Sequence, residues 1–195
     1  MDEYLKQSKE YFDNIASKWD NFSVNNPEGV KTVISLGNIE ENSKVLDIAC
    51  GTGVLFNDIL AKKPASLWGI DLSDKMLDEA AKKHDDSRIS LWAGDFNDFD
   101  QYDFDRAFVY RAYPHFPDKE AFAKKLYSLL NTGGRFIIAH NESRHAVNHR
   151  HSGGAAHISD ILAPVAEESL YFKDLFNIDI TADTDYLYII SGTKK

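Results

Sequence analysis

The stretch Lys44–Phe56, KVLDIACGTGVLF, has residue types and spacings that suit a ligand-binding turn. Asp47 lies near the carboxyl end of a short apolar run, and Gly51 and Gly53 follow at once. Glycines let the backbone turn sharply and bring amides close to a ligand, because no Cβ stands in the way. Asp71 closes a second apolar run, at the distance where nucleotide-binding sheets place a carboxylate for ribose. The pattern therefore predicts a strand, a glycine turn and a helix that together bind a ribose-containing ligand.

A second group of residues that could carry chemistry is the histidine-rich segment 140–157, which holds five of the seven histidines. Ser143 could cap a short helix and place His145 and His149 four residues apart on one face, a spacing that suits a divalent metal. His140 and His157 could complete such a site. Three interpretations stay open: a substrate pocket with a proton acceptor, a metal site, and a solvated loop of biased composition.

The elements that must position these residues alternate regularly along the chain. Apolar periodicity predicts five helices. The first covers the first twenty residues, the second runs from a cap at Asn26 to near Gly37, the third begins at about Val54, the fourth begins after a cap at Ser73, and the fifth covers Pro117–Leu130. Gly133-Gly134 is expected to end the fifth helix. Strands are predicted at 45–49, 67–71, 89–93, 106–110 and 135–140, with a closing hairpin of 176–180 and 186–191. Such alternation predicts parallel strands covered by helices, with ligands beyond their carboxyl ends.

Composition narrows the class of protein. With 195 residues and 43% apolar residues, the chain is expected to fold as one domain, 1–195, rather than to be disordered. A net charge of −9 disfavours a nucleic-acid partner. No apolar run approaches the roughly 20 residues that span a bilayer, and the charged N-terminus does not resemble a secretory signal. A single cysteine excludes an internal disulfide. We therefore expect a cytoplasmic protein with neither a membrane nor a nucleic-acid partner.

The motifs resemble those of the class I S-adenosylmethionine (SAM)-dependent methyltransferases. The first motif, V-L-D-x-x-C/G-G-x-G, is matched by Val45, Leu46, Asp47, Cys50, Gly51 and Gly53. The second, G-x-D-x-S-x-x-M-L, is matched by Gly69, Asp71, Ser73, Met76 and Leu77, and the third by Ala93-Gly94-Asp95-Phe96. The resemblance implies an α/β, doubly wound, mostly parallel seven-stranded sheet with helices on both faces and a C-terminal antiparallel hairpin. It also implies in-line transfer of a methyl group from SAM to a small-molecule acceptor, leaving S-adenosylhomocysteine.

Roles for the cofactor-binding residues follow from the groups that SAM presents. Asp71 suits the ribose hydroxyls, the amides of the glycine turn suit the carboxylate, and Asp47 or nearby carbonyls suit the ammonium. Asp95 or the backbone of Phe96 could meet the adenine amine, with apolar side chains flanking the ring. The predicted cofactor-binding residues are Tyr11, Trp19, Asp47, Ala49, Cys50, Gly51, Thr52, Gly53, Asp71, Leu72, Met76, Gly94, Asp95, Phe96 and Tyr110.

The acceptor side is predicted from residues that follow the fourth and fifth strands. Tyr110, Arg111 and Tyr113 should lie near the methyl group, and the string from His115 to Asp118 resembles an aliphatic-His-hydrophobic-Pro-Asp segment of small-molecule methyltransferases. The candidate catalytic residues are His115, His140 and Tyr113, although packing and hydrogen bonding beneath the cofactor is the plainer role for His115. Residues 1–40 are expected to form a helical lid, in which Tyr11 and Trp19 could equally be core, and residues 140–165 a histidine-rich insert near the acceptor site.

Several alternatives remain open from the sequence. A dinucleotide-binding domain would need a third glycine where Phe56 stands, and it gives Asp47 no role. A strand, turn and helix without a ligand is the plainest alternative. Cys50 could be a nucleophile with a lowered pKa, or a small residue that the turn requires; methyl transfer from SAM needs no enzyme nucleophile. A non-catalytic SAM- or metal-binding protein could reuse the same fold, with metal at His145 and His149.

Overall fold

A computed structural model describes residues 2–22, 26–153 and 156–195 of the chain. Its contacts divide the chain into two compact units, Met1–Phe99 (unit 1) and Asp100–Lys195 (unit 2). The prediction of one functional domain over 1–195 remains a prediction.

Unit 1 consists of helices alternating with three parallel strands. The helices are α1 (Glu3–Ile15), α2 (Trp19–Phe22), α3 (Pro27–Gly37), α4 (Phe56–Leu60) and α5 (Asp74–Lys83), with 3-10 turns at Ala16–Lys18 and Phe96–Asp98; the strands are β1 (Lys44–Ile48), β2 (Ser66–Asp71) and β3 (Ile89–Ala93). Side chains cap the longer helices: Asp2 caps α1, Asn26 caps α3 ahead of Pro27, and Ser73 caps α5. The predicted caps at Asn26 and Ser73 are confirmed.

The strands of unit 1 align their carboxyl ends. Asp47 of β1 lies opposite Gly69 of β2, and Asp71 at the end of β2 lies opposite Ala93 of β3. The apolar side chains of β1, Val45, Leu46 and Ile48, are fully buried. Buried apolar runs of this kind are typical of a parallel strand that is covered on both faces.

Unit 2 holds the other four strands and the histidine-rich segment. Its elements are β4 (Phe104–Tyr110), α6 (Lys119–Leu129), β5 (Leu130–His140), α7 (Arg144–His151), α8 (Val165–Glu168), β6 (Phe176–Asp183) and β7 (Tyr188–Lys194), with 3-10 turns at Tyr113–His115, Ala156–Ile158 and Ser169–Tyr171. β4 pairs parallel with β5, whereas β7 pairs antiparallel with both β5 and β6. The ring of Phe136 stacks on Phe172 at 4.9 Å and meets the edge of Phe176 at 4.7 Å, which anchors β5 to the core of this unit.

The strand order is β3-β2-β1-β4-β5-β7-β6 in a seven-stranded sheet. The predicted fold class, mostly parallel with a C-terminal antiparallel hairpin, is confirmed. No helix in the described part of the chain combines the length and the apolar character needed to cross a membrane.

The prediction that a helix runs to Leu130 and is stopped by Gly133-Gly134 was wrong. α6 ends at Leu129, and β5 begins at Leu130 instead of at 135, because Leu130 pairs with Phe104 of β4. Gly134 serves strand pairing instead: a Cβ there would lie 2.8 Å from the carbonyl oxygen of Asn131 and 3.0 Å from that of Phe104. The register of β4 against β5 shifts just after Phe104, which accommodates this close approach.

Three other predicted boundaries also moved. The first helix ends at Ile15, because Ala16 is buried and the chain tightens into a 3-10 turn before Trp19. α4 begins at Phe56, later than predicted, since residues 51–55 form turns. The predicted hairpin is present, with strands that extend to Asp183 and from Tyr188 to Lys194.

Candidate functional site

The glycine turn after β1 adopts a backbone that few residues tolerate. Ala49, Gly51 and Gly53 have φ angles of 54°, 55° and 80°. A Cβ at Gly53 would lie within 3.0 Å of the rings of Phe56 and His84, so this position requires glycine. A Cβ at Gly51 would meet little besides the indole nitrogen of Trp19, at 3.8 Å. The turn is therefore tightly packed beneath Gly53 and more open at Gly51.

Asp71 is bound to the backbone of this turn through both carboxylate oxygens. Oδ2 accepts a hydrogen bond from the amide of Gly51 at 2.9 Å, and Oδ1 accepts one from the amide of Ser73 at 2.8 Å. An ionised carboxylate has about four acceptor sites, so each oxygen can accept a further hydrogen bond from a ligand. Burial raises the pKa of Asp71 from 3.8 to about 6, although the two amide hydrogen bonds oppose the shift.

Asp47 is the most deeply buried acid of unit 1. It is 2% exposed, and its Oδ2 has no hydrogen-bond partner within the described residues. Burial, and next the nearby charge of Asp71, raise the pKa of Asp47 well above its ordinary value. A buried carboxylate oxygen without a partner is costly, and a cationic ligand would relieve that cost.

Cys50 has the features of a small structural residue. Its thiol is buried, and a Cβ placed on Gly69 would lie 3.0 Å from its Sγ. Burial, and then the charges of Asp47 and Asp71, raise the pKa of Cys50 well above its ordinary value. Since a nucleophilic cysteine must be a thiolate, this environment favours the structural role over the nucleophile.

Asp13 and Asp20, in the N-terminal segment, accept hydrogen bonds from hydroxyl groups that follow β1 and β2. The hydroxyl of Thr52, which is buried in the glycine turn, donates to Asp20 at 2.7 Å. The hydroxyl of Ser73 donates to Asp13 at 2.6 Å and accepts from the amide of Met76 at 3.1 Å. The N-terminal segment is thus fastened to the ends of β1 and β2.

Tyr11, Phe12 and Trp19 in the N-terminal segment are half-buried. Phe12 makes edge contacts with Tyr11 at 5.3 Å and with Trp19 at 5.9 Å. Through Trp19 this group reaches the glycine turn at Gly51. The placement of Trp19 is compatible with the predicted lid, and the lid role of Tyr11 remains a prediction.

The remaining predicted cofactor residues of unit 1 follow β2 and β3. Met76 and Phe96 are buried, and Leu72 is half-buried. Asp95 caps the short turn after β3, because its Oδ1 accepts from the amide of Asn97 at 3.0 Å. Gly94 packs against the ring of Trp92, 2.6 Å from the position that its Cβ would take.

In unit 2, the predicted catalytic residue Tyr113 is held in a buried hydrogen-bond network. Its hydroxyl donates to Oε2 of Glu168 at 3.1 Å, and its carbonyl accepts from Lys119 at 2.9 Å. Oε1 of Glu168 accepts from the amide of Ala163 at 3.2 Å. Burial, and next the charge of Glu168, raise the pKa of Tyr113, so its proton is firmly held. These contacts suit a residue that positions its neighbours.

Of the predicted catalytic histidines, His115 lies in the 3-10 turn after β4, and His140 is the last residue of β5. His115 meets the carbonyl of Ile158 at 2.9 Å and the hydroxyl of Ser159 at 3.1 Å through Nδ1, and burial lowers its pKa to about 4. His140 is 1% exposed, and its Nε2 has no hydrogen-bond partner within the described residues. Burial lowers the pKa of His140 well below its ordinary value, so the ring is neutral near neutral pH. Tyr110 is also buried, at the end of β4, and burial raises its pKa to about 12.

The predicted metal ligands lie on the surface of unit 2. Ser143 caps α7 as predicted, and His145 and His149 are exposed on this helix. Over residues 2–22, 26–153 and 156–195, no group of three or more His, Cys, Asp or Glu side chains has the arrangement of a metal site. Metal binding by this pair remains a prediction.

Two contacts within unit 2 were not predicted from the sequence. Glu168 was given no role, although it joins Tyr113 to the backbone at Ala163, because nothing local in the sequence relates positions 55 residues apart. His151 was noted only as one of five histidines, yet its ring lies 5.1 Å from that of His115 at an angle of 85°. The sequence signal that could have found it is the Ser143 cap, because the helix that begins there ends at His151.

Sequence comparison finds similarity to methyltransferases. A family model described as a methyltransferase domain matches residues 45–134. A sterol 24-C-methyltransferase of Candida albicans is 29% identical over 182 residues, covering 81% of this chain and 48% of that protein. A carboxy-S-adenosyl-L-methionine synthase of Campylobacter fetus is 31% identical over 146 residues, covering 69% of this chain and 62% of that protein. The predicted resemblance to methyltransferases is confirmed over residues 45–134. The chain spans about half the length of the sterol methyltransferases that it matches.

Solved structures of methyltransferases share the fold of this chain. The methyltransferase in a complex with the Trm112 activator from Haloferax volcanii has a TM-score of 0.80 at 20% identity, covering 95% of this chain and 96% of that one. Magnesium protoporphyrin IX methyltransferase of Synechocystis PCC 6803 with bound SAM has a TM-score of 0.73 at 18% identity, covering 100% and 99%. At these identities the similarity supports the fold alone.

Proposed function

We propose that this chain binds SAM through unit 1 and transfers its methyl group to a small-molecule acceptor. The observation that carries the proposal is the buried, unpartnered oxygen of Asp47 at the glycine turn, close enough to Asp71 for their charges to interact. When bound, SAM supplies an electrophilic methyl group on a sulfonium. The protein's share of catalysis is then chiefly to hold the acceptor in line with that group.

The proposed roles of the unit 1 residues follow from their contacts. Asp47 accepts from the ammonium, and the positive charge there lowers the cost of its ionisation. Asp71 accepts from the ribose hydroxyls with the lone pairs that Gly51 and Ser73 leave unused. The open face at Gly51 admits the ligand backbone, and Trp19 covers it from the N-terminal side. Leu72, Met76 and Phe96 provide apolar contacts for the adenine, and Asp95 or the backbone of Phe96 provides an acceptor for its amine. Tyr110, at the end of β4, is proposed to lie near the methyl group.

The proposed acceptor residues belong to unit 2. His140 is a neutral imidazole whose buried Nε2 lacks a partner, so it suits the role of general base if the acceptor must lose a proton. His115 and Tyr113 more readily position the segment around them, since each holds hydrogen bonds to residues 158–168. A small-molecule acceptor is supported by the acidic composition and by relatives whose names describe sterol methylation. We place the protein in the cytoplasm on composition alone.

Isothermal titration of SAM and S-adenosylhomocysteine into the purified chain tests the proposal. We expect saturable binding that Asp71→Ala weakens on the order of 1.5–3 kcal/mol, because charge-assisted hydrogen bonds are lost. Asp98→Ala, which removes an exposed carboxylate from the same unit, should leave the affinity unchanged. Equal affinity of the folded Asp71→Ala variant and the native protein would contradict the assignment. Absence of binding by the folded native protein would overturn the function itself.

A further inference from the structure

A histidine outside the histidine-rich segment lies directly against the glycine turn of unit 1. His84 is the C-cap residue of α5, where its amide donates to the carbonyl of Ala80 at 3.1 Å. A Cβ at Gly53 would lie 3.0 Å from both Cδ2 and Nε2 of the His84 ring, so the imidazole occupies the space beneath Gly53. None of the roles proposed for SAM binding involves this histidine.

The imidazole of His84 is also held by two residues at the start of α4. Its ring lies 5.1 Å from that of Phe56 at an angle of 55°, and its Nδ1 lies 3.2 Å from Oδ1 of Asn57. An asparagine amide carries both an acceptor and a donor, so Asn57 can serve Nδ1 in either tautomer of the ring. Nε2 is therefore the ring nitrogen that is available to the glycine turn.

The ring of His84 forms hydrogen bonds with the backbone of the turn. Burial lowers the pKa of His84 below its ordinary value and the charge of Lys83 adds to the shift, whereas hydrogen bonds with the backbone of Thr52 and Gly53 oppose it. A backbone group that raises the pKa of an imidazole accepts a hydrogen bond from the ring. Because Nε2 is the nitrogen beside Gly53, it is the donor to the turn.

The glycine turn needs support from outside, because its own backbone is pliable. Gly51 and Gly53 both have positive φ, and glycine has more conformational freedom than any other residue. A turn that must be ordered by its ligand binds that ligand more weakly, because ordering costs conformational entropy. Contacts that order the turn in advance therefore raise the affinity.

The helix that ends at His84 also connects the turn to the acid at the end of β2. At its beginning, the amide of Ser73 donates to Asp71 at 2.8 Å. At its end, Lys83 forms an ion pair of 2.7 Å with Asp20, whose carboxylate accepts from the hydroxyl of Thr52 in the turn at 2.7 Å. One helix thus contacts both loops that are proposed to bind SAM.

We propose that His84 is a positioning residue for SAM, which holds the glycine turn through Nε2 in the conformation that binds the cofactor. It acts through the backbone of the turn and needs no contact with the cofactor itself. The inference rests on the proposed function, because it assigns a further residue to the same cofactor site.

Three substitutions at His84 separate its hydrogen bond to the turn from its packing. The amide of His84→Gln reaches the position of Nε2, the shorter amide of His84→Asn reaches only that of Nδ1, and His84→Phe keeps a ring without either nitrogen. Isothermal titration of S-adenosylhomocysteine into the full chain measures the affinity of each variant. We expect His84→Gln to remain within about threefold of the native affinity, and His84→Asn and His84→Phe to bind about tenfold more weakly.

The pattern among the variants decides between positioning and packing. Lys82→Gln, which removes an exposed ion pair with Glu79 on the same helix, is the matched control and should leave the affinity unchanged. Native affinity in His84→Phe would overturn the proposal, because the ring alone would then be sufficient. Equal weakening by all three substitutions would also overturn it, because restoring a polar group at the position of Nε2 would then have no effect. Urea unfolding of the same samples verifies that each variant is folded.

The native protein in these titrations distinguishes the two proposals. If it binds S-adenosylhomocysteine and the folded His84 variants bind equally well, the proposed function survives and the positioning role fails. If the folded native protein does not bind S-adenosylhomocysteine, the proposed function fails first.

Discussion

Replacing Asp71 by asparagine should stabilise the protein and, at the same time, weaken SAM binding. The pKa of Asp71 rises from 3.8 to about 6 on folding, so the folded state holds this proton more tightly than the unfolded state does. Below about pH 4 the carboxyl group is protonated in both states, so it does not lower the free energy of unfolding. As the pH rises towards 6, the unfolded state loses this proton first, and the free energy of unfolding falls. A shift of about two pKa units corresponds to roughly 3 kcal/mol lost at neutral pH.

Asparagine resembles the protonated carboxyl group, with one acceptor oxygen and one donor group. Asp71→Asn should therefore raise the free energy of unfolding by as much as about 3 kcal/mol near pH 8, and by about half of that near pH 5. The amide NH2 must face the N–H of either Gly51 or Ser73, and this contact reduces the gain at every pH alike. The stabilisation near pH 8 minus that near pH 5 is therefore a more direct measure of the pKa shift than the stabilisation at either pH alone.

Urea unfolding of Asp71→Asn and the native protein near pH 5 and near pH 8, without ligand, measures this effect. Asp98→Asn is the control for changing a carboxylate that is exposed in the same unit. A pH-independent loss of stability in Asp71→Asn would refute the reasoning, because it would mean that ionised Asp71 imposes no desolvation cost. Calorimetry on the same variant should show weaker SAM binding, since one acceptor for the ribose hydroxyls is gone.

Two further substitutions each test a hydrogen bond that lies within a single unit. Thr52→Val removes the donor to the carboxylate of Asp20 and should lower the free energy of unfolding by about 1 kcal/mol, whereas Thr32→Val, at an exposed helix position, should change it by less than about 0.5 kcal/mol. Glu168→Gln replaces one of two acceptor oxygens in the core of unit 2 and should cost about 1–3 kcal/mol, against little change for exposed Glu167→Gln. Urea unfolding measures both, and equal effects in a variant and its control would contradict the role given to that hydrogen bond.

Local sequence signals predicted much of unit 1. The cap at Ser73, the glycine turn at Gly51 and Gly53, and the acid at the end of β2 all depend on residues within a few positions of one another. The order of strands and helices then followed from their alternation. The role of Trp19 beside Gly51 was less certain from the sequence, because a half-buried aromatic at helical spacing suits a lid and a core equally well.

Unit 2 was harder to predict because its site depends on long-range pairing. Gly133-Gly134 has the appearance of a helix stop, but Leu130 already pairs with Phe104, and tertiary pairing decides the boundary. Glu168 is one of several acids in a polar stretch, and only the fold brings it to Tyr113. The left-handed backbone at Arg111 likewise has no sequence signature, since nothing about an arginine indicates φ > 0.

The contact of Trp19 with the glycine turn gives the protein an intrinsic optical signal. Its indole nitrogen lies 3.8 Å from the Cβ position of Gly51, so a ligand seated on this turn would change the polarity and quenching around that ring. The other two tryptophans, Trp68 and Trp92, both pack against buried Phe99 and provide a nearly constant background. Tryptophan emission of the unlabelled chain can therefore follow the occupancy of the turn in real time.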